Sequence, residues 1–132
     1  MKRVDSADFV RIQQAFQAAA DAQDVAPLEA VLDPEVAWAA MTAGPGDCHS
    51  REEVLEVWRA GIAQGMVGHI AEFREVRGRI LFVLRRENLP PGRPVLGTHI
   101  LSVHNGLVTQ IQDYPTPDEA LQALEPNQLS GN

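Results

Sequence analysis

The run Ile80-Leu81-Phe82-Val83-Leu84 constrains this chain more than any other segment. Successive side chains of a strand point to opposite faces, so an unbroken apolar run needs cover on both. It reads as a central strand. The segments around it fit that place. Residues 69–76 and 79–87 read as two strands turning near Gly78, and NLPPGRP interrupts the sheet. Residues 95–104 and 107–114 read as a second hairpin. Residues 35–41, EVAWAAM, give one earlier strand.

The remaining segments have helical spacing. In residues 6–22, Phe9, Ile12, Phe16 and Ala19 or Ala20 repeat along one face, with Asp5 or Ser6 as cap. A short helix follows, in which Asp24 caps, Pro27 fits the first turn and Asp33-Pro34 ends it. After the loop TAGPGDCH, Ser50 opens Ser-Arg-Glu-Glu, a capping box whose Glu53 reaches back to the cap. That helix runs to about Gln64 with Val54, Trp58, Gly61 and Ile62 on one stripe. Thr116-Pro117-Asp118-Glu119 starts a final helix, and the tail EPNQLSGN reads as frayed. Helices first, then a mostly antiparallel sheet, then a closing helix make an α+β layout with helices on one face of a curved sheet. The 132 residues suit a single domain, 1–132, with a core of its own.

Charge removes several classes of function. The net charge of −7 opposes binding to a phosphate backbone or to anionic lipid, so neither nucleic acid nor membrane is expected as a partner. No stretch approaches the roughly 20 apolar residues of a membrane span. The opening MKRVDSADFV lacks the apolar run of a signal peptide. A lone cysteine, Cys48, can form no internal disulfide. These features together read as a soluble cytoplasmic protein.

The hairpin SVHNGLVTQIQDYP carries the chemistry. A two-residue Asn105-Gly106 turn would pair His104 with Leu107 and leave neither face cleanly apolar. A three-residue loop, His104-Asn105-Gly106, pairs Val103 with Leu107. It collects His99, Leu101, Val103, Leu107, Thr109, Ile111 and Asp113 on one face and leaves a polar set, Val108 included, on the other. Patterning favours this second register. It places Asp113 and His99 inward beside Leu101 and Ile111, where an acid and an imidazole can exchange protons near neutral pH. The plainer alternative is that Asp113 caps the turn before Pro115 and His99 is a core histidine bonded to a carbonyl.

The helical start, DPEVAW, CHSREEVLEVW and HILSVHNGLVTQIQDY together resemble the SnoaL-like branch of the nuclear transport factor 2-like superfamily, over roughly residues 6–124. The resemblance implies a cone-shaped α+β barrel whose strongly bent sheet wraps an apolar pocket. It also implies a homodimer packed through the outer sheet face, which would account for the two apolar faces of residues 80–84. The groups that ketosteroid isomerase needs fall here on Met41 and Thr42, on Phe9 and Phe16, and on Ile100 or Leu101, none of which can serve. Limonene epoxide hydrolase offers a match for Asp113, but its second acid falls within Arg79-Ile80-Leu81, and its water-holding residues fall near Trp38 and Ala40. The polyketide cyclases are most similar, with an Asp and a His in the places of Asp113 and His99.

That likeness implies cofactor-free proton transfer, of isomerase, cyclase or lyase type, on a small apolar ligand. The pocket would be lined by Phe16, Trp38, Met41, Trp58, Leu101 and Ile111, although for any single one of them core packing is the plainer reading. The superfamily also includes binding and interaction modules without chemistry, so that alternative stands. An open cavity at Asp113 would favour the enzyme; a cavity plugged by Trp38 and Trp58 would favour the passive protein. Cys48-His49 is a poor nucleophile–base pair, because adjacent residues rarely present side chains to each other. The four histidines lack metal-binding spacing, glycines 44, 46, 61, 65 and 68 form no phosphate loop, and Arg85-Arg86-Glu87 reads as a solvated strand end.

Overall fold

The structure, a computed structural model, describes residues 4–39, 47–88, 91–92 and 95–125. Met41, Thr42 and Ala40 lie outside these residues. Helix α1 spans Ser6–Ala22 and is capped by Asp5, whose carboxylate accepts from the Ala7 and Asp8 amides. It buries Ile12, Phe16 and Ala19. The expected second helix is a single 3-10 turn, Ala26–Ala30, with Pro27 in its first turn. The Ser50 hydroxyl caps α2, Arg51–Ala63, by accepting from the Glu53 amide, and Glu53 in turn accepts from the His49 amide.

Five strands form one open sheet: β1 Leu32–Ala39, β2 Val67–Val76, β3 Arg79–Glu87, β4 Leu96–His104 and β5 Leu107–Tyr114. Their order is β1-β5-β4-β3-β2, with β1 parallel to β5 and every other pair antiparallel. Among the described residues this is the expected α+β arrangement of helices on a mostly antiparallel sheet, and the sheet is not closed into a barrel. Strand β1 begins at Leu32, earlier than the expected residue 35, and runs through Asp33-Pro34. It lies at the sheet edge and its register shifts between Leu32 and Ala37. Both features let a proline sit in a strand without losing a ladder bond.

The central strand β3 is covered twice, but not in the way expected. On one face Ile80 and Phe82 join the main core with α1 and α2. On the other, Leu81 and Val83 are buried with Ile100 against Ala120 and Leu124, at and just after α3, Pro117–Ala123. Helices therefore lie on both faces, and the chain covers this part of its own outer sheet. The apolar outer side chains of β3 need no second subunit to leave water. Burying each contributes about 1.5–3 kcal/mol.

The β4–β5 hairpin departs from the three-residue loop. Asn105 and Gly106 both have positive φ, 53° and 79°, as a two-residue type I′ turn requires, and His104 pairs with Leu107. The register then shifts between Val103↔Val108 and Ser102↔Gln110, where Thr109 is the extra residue of a bulge. Beyond the bulge Leu101 faces Ile111 and His99 faces Asp113. Val108, expected on the polar face, is fully buried in the core, while Leu107 and Thr109 are only half-buried. The bulge, and not a third loop residue, supplies the one-residue shift that turns Asp113 inward.

Candidate functional site

His99 and Asp113 come together on the face of the sheet that α1 and α2 cover. The His99 Nδ1 lies 2.6 Å from Asp113 Oδ1, and the same oxygen accepts from Trp38 Nε1 at 2.7 Å. An indole nitrogen can only donate, and a carboxylate only accepts, so the Trp38 bond has one possible direction. With Nδ1 donating to the carboxylate, Nε2 is the ring nitrogen left with a lone pair. The side chains of His99 and Asp113 are 9% and 20% exposed, so the acid keeps a share of solvent that the imidazole lacks.

Three elements hold this arrangement. Trp38 is fixed on β1 by paired backbone bonds with Cys48, both 2.9 Å, and by its parallel register with Ile111. The His99 ring sits between the Trp38 indole, 6.0 Å between centroids and edge-on, and the Phe82 ring at 5.5 Å. Trp38 also packs on Trp58 of α2, centroids 5.3 Å apart. At Gly97, two residues before His99 on the same face, a side-chain carbon would stand 3.3 Å from His99 Nε2 and 3.4 Å from Arg86 Nε. The bare backbone there lets the imidazole and the guanidinium share one space.

Beside this group lies a cavity of about 620 Å³, lined by Trp38, Trp58, Arg86, His99 and Asp113 among others. The two tryptophans form its wall and do not fill it. A smaller cavity of about 70 Å³ is lined by Phe16, Trp58 and Phe82 with further apolar side chains. Of the residues singled out from sequence, Trp38, Trp58, His99 and Asp113 therefore meet at the larger cavity. Phe16 faces only the smaller one. Leu101 and Ile111 are fully buried in the main core and line neither cavity.

Arg86 is the unforeseen member. It follows Phe82 and Leu84 at strand alternation, which turns it to the cavity side, while Arg85 and Glu87 are exposed. That alternation was the available signal. Gln64 and Asn88 add polar groups to the same wall. Cys48 is buried, and burial first, then the nearby carboxylates of Glu53, Asp47 and Asp113, push its thiol above the ordinary value of 9.0. A thiol so disfavoured as thiolate is no nucleophile at neutral pH. His49 and His104 are exposed, and His69 pairs with Glu87 at the surface. Among the described residues, no three His, Cys, Asp or Glu side chains gather as a metal ligand set, and no helix is long and apolar enough to cross a membrane.

No protein-family model matches the chain, and no curated protein matches it. Solved structures do. An NTF2-like protein of unknown function from Mesorhizobium loti superposes with a TM-score of 0.69 at 19% identity, over 86% of this chain and 95% of that one. A SnoaL-like protein of unknown function from Burkholderia thailandensis gives 0.66 at 12% identity, over 86% and 98%. A candidate polyketide cyclase from Sinorhizobium meliloti gives 0.64 at 18% identity, over 84% and 100%. At such identities the likeness is one of architecture, and by that likeness the chain has the nuclear transport factor 2-like fold, the fold of SnoaL-like proteins.

Proposed function

We propose that this protein binds a small, largely apolar molecule in the cavity beside His99 and Asp113 and moves a proton on it without a cofactor. The observation that carries the reading is the shared hydrogen bonding at one carboxylate oxygen. Asp113 Oδ1 accepts from Trp38 and faces His99 Nδ1 at 2.6 Å, at the wall of a cavity large enough for a bicyclic molecule. A carboxylate held on Nδ1 fixes the tautomer, so Nε2 takes the proton and Asp113 balances the imidazolium charge. Arg86, which shares with His99 Nε2 the space over Gly97, lies where it can stabilise an oxygen that becomes negative as the proton leaves carbon. The reaction class is isomerisation, cyclisation or elimination beginning at an acidic C–H bond. The candidate polyketide cyclase of the same fold lends this reading its nearest chemical parallel.

The test is exchange of the α-protons of 2-tetralone, an enolisable apolar ketone, for deuterium in D2O, followed by proton NMR. Exchange faster than buffer that is lost in His99→Ala and Asp113→Asn supports the reading; exchange that survives both substitutions overturns it.

A passive binding module is the second reading. It is favoured by Trp38, whose Nε1–H is committed to Asp113 and makes the carboxylate part of a wall. Ketone binding without any exchange would select it. A homodimer through the outer sheet face belongs to the first reading and would use the surface beside α3; sedimentation equilibrium decides it. The single free cysteine suits a cytoplasmic setting.

A further inference from the structure

We propose that the small cavity is the tail subsite of the larger one, so that the ligand is bipartite: an oxygen-bearing head beside His99, Asp113 and Arg86, and an unbranched hydrocarbon tail passing behind Met66 and Leu84. This rests on the ligand-binding reading above. It adds the chemical class of the ligand.

Three side chains, Trp58, Met66 and Leu84, line both cavities and form the partition between them. One of the three owes its position to a missing side chain. A carbon at Gly68 would come within 3.1 Å of both Leu84 methyls, so any larger residue there displaces Leu84. Met66 packs over Gly61 of α2, where a side-chain carbon would stand in ordinary contact with its Cε at 3.5 Å. Methionine is unbranched, with three rotatable bonds, and re-packs at small cost. The Met66 part of the partition can therefore move aside to join the two spaces.

The two spaces differ in chemistry. The larger is walled by Gln64, Arg86, Asn88, His99 and Asp113 as well as by tryptophan. The smaller is walled by Phe16, Leu28, Ile62, Ile70 and other apolar groups, with Gln23 and Asp24 only at the end where α1 stops. A polar substituent pushed into the smaller space would lose its hydrogen bonds to water without replacement. A methylene chain loses nothing and gains burial. An amphiphile with one polar end is the solution that suits both walls.

The experiment uses the full chain and the homologous 2-alkanones from 2-pentanone to 2-nonanone, with dissociation constants from calorimetry. Affinity should rise about fourfold per added methylene until the subsite is filled, and then level off. Ala20→Leu and Ile70→Phe each put bulk into the subsite from a different wall, and either one that melts cooperatively should flatten the series. A flat series in the unaltered protein, a slope unchanged in these variants, or no binding of any member overturns the proposal. A slope without α-proton exchange sinks proton transfer alone, and exchange of 2-pentanone without a slope sinks the subsite alone.

Discussion

His99 and Asp113 face each other across the β4–β5 ladder because Thr109 is bulged between them and the turn. Without the extra residue, the two-residue Asn105-Gly106 turn would set His99 against Gln112 and send Asp113 to the opposite face of the sheet. One bulge thus brings the acid inward, to 2.6 Å from the imidazole. Bulges re-aim side chains beside sites of chemistry in this way.

Replacing Asp113 by Asn keeps the shape and removes the charge. The two donors on Oδ1 then meet a neutral carbonyl, and charge-assisted bonds become ordinary ones. We expect a loss of about 1–2 kcal/mol in urea unfolding followed by tryptophan fluorescence. Proton exchange on 2-tetralone should fall at least about 100-fold.

Trp38→Phe separates support from chemistry. It retains an aromatic ring beside His99 but removes the Nε1–H on Asp113. The expected cost is about 1 kcal/mol of stability. Exchange should persist within about tenfold, since the Asp113–His99 contact is untouched. A loss as deep as that of Asp113→Asn would make Trp38 a participant and not a support.

Gly97→Ala tests the close approach of His99 and Arg86. The added methyl meets Nε2 at 3.3 Å and the guanidinium at 3.4 Å, so both groups must give way by a few tenths of an ångström. Gly97 lies in β4, where alanine is sterically allowed, so the melting temperature should change little. The exchange rate should drop about tenfold or more, as misplacement of reacting groups does. An unchanged rate would remove Arg86 and Nε2 from the mechanism together.

Cys48 gives the alkaline behaviour a sign. Its thiol is raised above 9.0 in the folded chain, chiefly by burial. The unfolded chain therefore releases this proton first as pH rises, and folding stability falls once pH passes about 9 and through the higher native value. Below pH 9 the contribution is fully present. Urea midpoints measured from pH 7 to 10.5 should show this decline, and Cys48→Ala should lessen it. At pH 7 the native thiol should react with an aromatic disulfide far more slowly than the denatured one.

The sequence by itself determined the elements and the inward placement of His99, Leu101, Ile111 and Asp113 in the last hairpin. Helical spacing at Phe9, Ile12 and Phe16, the capping signals at Ser50 and Thr116, and the two apolar faces of residues 80–84 are local properties that dihedral preference and burial enforce. The inward placement of Asp113 was legible because only the parity of the register decides a face. A one-residue shift from the plain two-residue hairpin, whether made by a longer loop or by a turn plus a bulge, gives the same side. What only the tertiary structure decided was everything set by contacts between distant segments. It laid α3 over Leu81 and Val83. It brought Trp38 from the edge strand onto Asp113. It also left Leu101 and Ile111 as core. No local pattern encodes these outcomes, because each depends on which side chain reaches a shared space first and on the volume that Gly68 and Gly97 leave empty.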